Sequence, residues 1–345
     1  MAITLAEAKV GMADKVDQQV IDTFRRSSLL LDMLTFDNSI SPGTGGSTLA
    51  YGYIQLKTPS TAAVRALNTE YTAGEAKREE KTAKAVIMGG SFEVDRVLQN
   101  TSGAVDELAF QAQQKIKATA NYFHNLVING TSTSSGTGYV VNTFDGLRKA
   151  LTGTSNDFTT DIDLSDSTKM DSNANAFVDQ LDQLTHMVDG GASLLLMNTA
   201  MGCFQIRHIA VDNTFLRPSK VSRRAGYYDR KKDDFGRAVE YFGGIPIMDA
   251  GMYYNGTKSV DVIDTSTPST SAAGTSSIYA VNIALDGFHG ISPTGTGVIN
   301  SYMPDLKAPG AVKKGEVELV AGVVLKNTLK AAALNGIALK AKTSV

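Results

Sequence analysis

Apolar positions recur at helical spacing most clearly between Ala104 and Ile128, where Val105, Leu108, Ala112, Ile116, Phe123 and Val127 form one stripe. Asp106 and Glu107 stand where a helix N-terminus favours negative charge, and Asn129-Gly130 supplies a stop. About 25 residues at 1.5 Å each predict a helix ~37 Å long, a spine running across a flat domain. A second stripe, Val10, Ala13, Val16, Val20 and Phe24, predicts an amphipathic helix within Leu5–Leu34, followed by a hinge at Ser41–Ser47 (SPGTGGS). A third helix is expected over Ala176–Val188, with Phe177, Leu181, Leu184 and Val188 on one face. Ser193–Met197 (SLLLM) reads as a short buried strand, and Asn198 as the cap of a helix over Thr199–Val211.

The β-type segments differ in character. Ser47–Thr58 (STLAYGYIQLKT) and Lys81–Arg96 (KTAKAVIMGGSFEVDR) read as two strands of one long arm. Between them Pro59–Glu80 is polar, with few apolar residues and no core of its own. A lone two-stranded hairpin is marginal in water, so such an arm is useful chiefly when it lies on another subunit. Val64, Arg65, Leu67, Tyr71, Lys77 and Arg78 are the candidate inter-subunit contacts. The last third is mostly strand: Ala238–Phe242 and Ile245–Met248 around Gly243-Gly244, then Ser259–Asp264, Ser277–Leu285, Val298–Met303 and Glu316–Asn327. The final strand is long enough to return to the spine helix. Thr265–Ser277 reads as a low-complexity exposed loop.

The chain has 345 residues, 42% hydrophobic and 20% charged, which fits a globular protein with a sizeable core. Its net charge of −2 argues against a strongly basic DNA-coating protein and leaves room for a local basic patch. Cys203 is the only cysteine, so no intrachain disulfide can form and a reducing assembly compartment fits. No run approaches the roughly 18 apolar residues of a membrane span, so a soluble chain is expected. The sequons at Asn100, Asn129 and Asn255 read as chance matches in a Thr-rich chain without a signal peptide.

Searches for catalytic chemistry fail. GTGG at Gly43–Gly46 lacks the lysine of a phosphate loop, and Gly136-Thr137-Gly138 and Gly295-Thr296-Gly297 lack the third glycine of a dinucleotide loop. His124, His186, His208 and His289 stand apart from any metal-ligand spacing, and Cys203 has no basic cluster around it to make a thiolate. Asp161-x-Asp163-x-x-Asp166 is half a calcium loop without its glycine and glutamate, and reads as a solvated loop. Arg223-Arg224 and Arg230-Lys231-Lys232 run into Asp233-Asp234, which reads as a solvated mixed-charge surface ahead of the alternative, a loop contacting a neighbouring subunit or packaged nucleic acid. The expectation is no catalytic residue, no cofactor and no metal.

The order and spacing of TFDGL after the spine helix, SLLLMNTAMGCF, YFGGIPIMDAG, SSIYAVNIALDGFHGI and VELVAGVVLKNTLKAAAL resemble the major capsid proteins of tailed double-stranded-DNA bacteriophages, the Hong-Kong-97-type fold, over essentially the whole chain. The resemblance implies an α+β fold with an N-arm at 1–46, an extended E-loop at 47–96, a P-domain with the spine helix at 97–150, a mainly A-domain region at 151–310, and a C-terminal return to the P-domain at 311–345. It implies a non-enzymatic subunit that self-assembles, as pentamers and hexamers, into an icosahedral head shell. The implied partners are further copies of itself, a scaffold protein, a portal, decoration proteins and packaged double-stranded DNA held non-specifically, with no membrane. The implied location is the virion, after assembly in the host bacterial cytoplasm. An N-arm that starts at Met1 implies a separate scaffold, or a segment removed beforehand. Some family members weld subunits through a Lys–Asn isopeptide bond. Lys57, Lys77, Lys81, Lys84 and Asn327 offer the residue types but match no motif, so the activity is not carried over. The alternatives are an encapsulin-like nanocompartment shell, a soluble enzyme with a non-standard site, and a phage tail or decoration protein.

Overall fold

The computed structural model describes residues 33–38, 40, 49–101, 106–136, 138–198, 228–232, 238–264, 274–293 and 299–339. The N-terminal helix expected before Met33, the glycine-rich hinge, the helix expected after Asn198, Cys203, His208 and Arg223-Arg224 lie outside them, as do Asp233-Asp234, Gly295–Gly297 and most of the loop expected after Asp264.

In chain order the elements are β1 (Phe36–Asp37), β2 (Ala50–Thr58), β3 (Lys77–Lys84), β4 (Val86–Asp95), α1 (Arg96–Thr101), α2 (Glu107–Asn129), α3 (Leu147–Leu151), β5 (Asp157–Thr159), β6 (Asp163–Leu164), α4 (Ser167–His186), β7 (Leu194–Met197) and β8 (Tyr228–Lys232). There follow β9 (Ala238–Phe242), β10 (Ile245–Asp249), β11 (Met252–Tyr254), β12 (Ser259–Asp261), β13 (Gly274–Val281), β14 (Phe288–Ile291), β15 (Ile299–Tyr302), β16 (Val312–Leu325) and β17 (Ala331–Leu339).

The spine helix is α2. Asp106 caps it from outside, its carboxylate accepting from the Ala109 N–H at 3.1 Å. Its stop is not the left-handed glycine that Asn-Gly suggests. Gly130 is extended, and the reason for glycine is space: a Cβ there would sit 2.6 Å from the carbonyl oxygens of both Leu126 and Phe144. The N-terminal half of α2 packs Leu108, Ala112 and Ile116 on Phe92 and Val94 of β4 and Val317 of β16. The C-terminal half buries Phe123, Leu126, Val127 and Ile128 against Phe144, Leu147 and Leu151, and reaches strands of both main sheets. Phe123 meets Phe144 edge-on with ring centres 5.8 Å apart.

The smaller sheet has the order β1-β14-β16-β15, with β4 also pairing β16 along ten residues. As expected, the long late strand runs beneath the spine helix, although it begins at Val312 and not at Glu316. Gly89 has φ +157°, and a Cβ there would lie 2.0 Å from the Val317 carbonyl oxygen, so only glycine allows β4 and β16 this close.

The larger sheet has the order β5-β17-β13-β7-β10-β9-β8, with β6 alongside β17. It is covered on both faces. Leu194, Leu196, Tyr279, Val281, Ala331 and Ala333 face the spine side, while Leu195, Met197, Ile278, Ala280, Ala332 and Leu334 face α4. Burial on both sides explains why LLLM is uniformly apolar. The β9–β10 hairpin turns through Gly243 and Gly244, both at positive φ, as the glycine pair predicts.

Several boundaries differ from expectation. The return of the arm is β3, which starts at Lys77; β4 is a separate strand that leaves the arm and joins the body. Helix α4 starts nine residues before Ala176, at Ser167, because Asp166 accepts from the Lys169 N–H at 2.9 Å and so caps a polar first turn. Asp161-x-Asp163-x-x-Asp166 is therefore a helix entry: Asp163 bonds Lys169 at 2.7 Å, and Asp166 is the cap. Strand β13 starts at Gly274, inside the expected loop; SSIYAVNIALDGFHGI, read as one sheet strand, is split into β13 and β14, and β17 was not expected.

Candidate assembly surface

Strands β2 and β3 form a two-stranded antiparallel sheet from Ala50↔Lys84 to Thr58↔Lys77, with an irregularity after Leu56. Nine residues at ~3.3 Å make an arm of ~30 Å before its tip. Among the described residues, neither outer edge pairs with another strand.

The root of the arm is seated in the body. Tyr51 is buried with Ile40, Ala85, Ile291 and Val324, and its neighbours Tyr53, Ala83 and Val320 are half-buried. The Tyr51 hydroxyl donates to Asp37 Oδ2 at 3.1 Å, and Gln55 Nε2 donates to the Lys326 carbonyl at 3.1 Å. Burial, helped by nearby Asp145, pushes the Tyr53 phenol above its ordinary pKa, so it stays neutral.

The alternation of β2 is inverted relative to an ordinary surface hairpin. Tyr51, Tyr53 and Gln55 face the body, while Ala50, Gly52, Ile54 and Leu56 face outward. Ile54 is 70% exposed and Leu56 58% exposed. Their cross-strand partners are Glu80 and Arg78. An apolar outward face with a charged rim is what a binding surface requires and what a solvated hairpin avoids.

The tip, residues 59–76, has no core. Val64 is 100% exposed, Leu67 88% and Tyr71 63%. Its hydrogen bonds join tip residues to one another: Ser60 Oγ donates to the Gly74 carbonyl at 3.4 Å, and Arg65 Nη1 to the Thr69 carbonyl at 3.1 Å. The Arg65 guanidinium lies over the Tyr71 ring at 5.4 Å. Four candidate contacts thus cluster on the tip, while Lys77 and Arg78 stand at the start of β3, opposite Thr58 and Leu56. Reading the sequence missed Ile54 and Leu56, although their alternation with Tyr51 and Tyr53 carried the signal.

Elsewhere among the described residues, several polar groups have structural roles. His124 is buried, and its Nε2 lies 2.5 Å from the Ala250 carbonyl oxygen. Burial holds its pKa below the ordinary value. His186 is exposed beside Asp182. The Asn129 amide donates to Asn125 and to the Val262 carbonyl, and Asn255 accepts from the Thr257 and Lys258 N–H groups. A cleft of about 780 Å³ opens between the end of α2 and the larger sheet. Among the described residues its lining contains no histidine, cysteine or lysine. Arg148 there donates to the Gly138 carbonyl and stacks on Tyr139, and Asp157 accepts from Asn335 and the Gly153 N–H. Among the described residues, no three acidic, histidine or cysteine side chains gather as a metal site, and no helix is long and apolar enough to cross a membrane.

No family model and no curated protein matches the chain by sequence. Solved structures do match. The SrpI encapsulin complex from Synechococcus elongatus PCC 7942 is 13% identical over 100% of both chains, with a TM-score of 0.62. A chain from Mycobacterium phage Bobi is 13% identical over 99% of both, with a TM-score of 0.57. The capsid of Myoviridae phage XM1 is 13% identical over 94% of this chain and 97% of its own, with a TM-score of 0.52. Matches of this extent at such low identity are carried by architecture, and the chain has the Hong-Kong-97-type capsid fold.

Proposed function

We propose that this chain is the major capsid protein of a tailed phage, a structural subunit that builds an icosahedral shell around double-stranded DNA. The observation that carries the reading is the arm: an apolar outward face and a coreless tip, on a fold shared with phage capsids. In this reading residues 1–46 are the N-arm, the hairpin ending near Ala85 is the E-loop, the spine helix and smaller sheet form the P-domain, and the larger sheet with α4 forms the A-domain. The arm of one copy lies on its neighbour, where Ile54, Leu56, Val64, Leu67 and Tyr71 lose their exposure and Arg65, Lys77 and Arg78 make rim contacts. Obligate interfaces of this kind are large and apolar at their centres. Scaffold, portal and decoration proteins are the further partners, and the virion is the location.

A second reading, a nanocompartment shell that encloses protein, is favoured by the full-length match to an encapsulin. The test is to purify assembled particles after expression with the neighbouring genes. Particles that hold nuclease-protected double-stranded DNA support the capsid reading, and particles that hold one enriched protein and no genome support the compartment. A chain that stays a 36.6 kDa monomer under all assembly conditions refutes both.

A further inference from the structure

Tyr51 is the most deeply buried ring at the arm root. Besides its bond to Asp37, the face of Tyr51 takes the Lys326 ammonium at 5.2 Å. Its edge meets the ring of His289, 6.0 Å between centres and 79° between planes. Lys326 also receives Gln55 on its carbonyl, so the arm root touches the body through Asp37, His289 and Lys326.

His289 is the unusual member. It lies in β14, which is flanked by β1 and β16, with Gly290 paired to both Phe36 and Val323. Alternation along β14 sends Phe288 towards the spine helix and His289 towards the arm root. The ring is 0% exposed, and among the described residues neither its Nδ1 nor its Nε2 makes a hydrogen bond of normal geometry, the nearest help being the Gly287 backbone.

The charged groups around it decide what a proton would do there. Burial disfavours a cation most, and Lys326, just past the end of β16, adds to this; Asp37 at the end of β1, Asp286 in the preceding turn and the Gly287 carbonyl offset it only in part. Asp286 is itself engaged by Lys330 at 2.5 Å.

We propose that His289 is a proton-operated latch for the arm: with the imidazole neutral Tyr51 stays seated, and with the imidazole protonated the arm root lifts and the ring reaches water. The sign follows from linkage. Seated, the imidazole has a pKa below its ordinary value; lifted, it recovers about 6.5. The seated arm keeps its full advantage above about pH 6.5 and loses it as the pH falls below that value. The latch belongs to the single subunit, so it goes beyond the shell reading and stands or fails without it.

The test places spin labels on Leu56→Cys at the arm and Leu329→Cys on the body, both exposed, in a Cys203→Ser background. Pulsed electron resonance then reads the distance in the unassembled chain. The expected result is one narrow distance at about pH 7.5, and a longer, broader distribution at about pH 5 that reverses on neutralisation. His289→Phe should stay narrow at both. Lys326→Gln, which removes the main opposing charge, should shrink the change. An unchanged distance in a chain that circular dichroism shows to be folded overturns the proposal. So does an equal change in His289→Phe, or, where that variant does not fold, an undiminished change in Lys326→Gln.

Discussion

Deleting residues 61–73, so that Ser60 joins Gly74, removes the arm tip at a point where its two ends already touch. Ser60 bonds the Gly74 carbonyl, and a Cβ on Gly74 would lie 2.8 Å from Thr61 Oγ1. The subunit should hardly notice. Val64 and Leu67 cover almost nothing in it, and the main loss is the exposed Arg65–Tyr71 contact, worth ~0.5–1 kcal/mol. That contact lies wholly within the deleted tip, so the melting temperature of the body should move by roughly 2 °C or less. In a shell the same side chains count in full. Burying Val64, Leu67 and Tyr71 yields ~1.5–3 kcal/mol each, less ~0.5–1.5 kcal/mol each for ordering. At the middle of each range the balance is ~4 kcal/mol per copy, a roughly 10³-fold weakening of every arm contact. Circular dichroism melting of the unassembled subunit, beside sedimentation velocity of the assembly reaction, reads both quantities. Shells at wild-type yield from the deleted chain would refute the reasoning, and so would a subunit melting more than ~5 °C lower.

Replacing Ile54 and Leu56 together by aspartate should leave the subunit's melting unchanged and abolish sedimenting shells, since both side chains point outward; a subunit that unfolds would show that they pack on the body. Gly89→Ala should cost ~1–3 kcal/mol in denaturant unfolding, because its Cβ would meet the Val317 carbonyl at 2.0 Å; an unchanged midpoint would contradict that account of the β4–β16 approach. The Lys169 ammonium, with Ser165, holds the Asp163 carboxyl down at about 2. Its contribution to stability is complete above the unfolded value of ~3.9 and is lost as the pH falls towards about 2. An NMR titration should show that midpoint, and Lys169→Met should return it towards ~3.9.

What could be read from the residues depended on whether local pattern and tertiary environment agree. The spine helix was legible because Leu108, Ala112, Ile116 and Phe123 keep one period and bury one face. The arm was legible as an arm, but its return was misplaced. KREEKTAK has no apolar alternation, because among the described residues neither of its faces is buried, whereas VIMGGSFEVD alternates because it lies under α2. Strand β17 (AAALNGIAL) was hidden by its alanines, which favour a helix in isolation. Between β13 and β5 the small side chains suit a sheet covered on both faces, and Gly336, at φ +86°, leaves room for the Thr160 carbonyl. Helix α4 began early because one cap outweighed a polar first turn. His289 gave no sign at all: FHGI does not reveal that its histidine is fully enclosed beneath the arm, since that depends on strands far away in the chain.

The most direct test of the central claim is cryo-electron microscopy of the chain purified after expression with its neighbouring genes. The account predicts closed icosahedral shells in which the β2–β3 hairpin of each copy lies across an adjacent copy, with Ile54, Leu56, Val64, Leu67 and Tyr71 in contact. Particles in which the hairpin touches only its own subunit or solvent, or a chain that forms no closed particle at all, would contradict it.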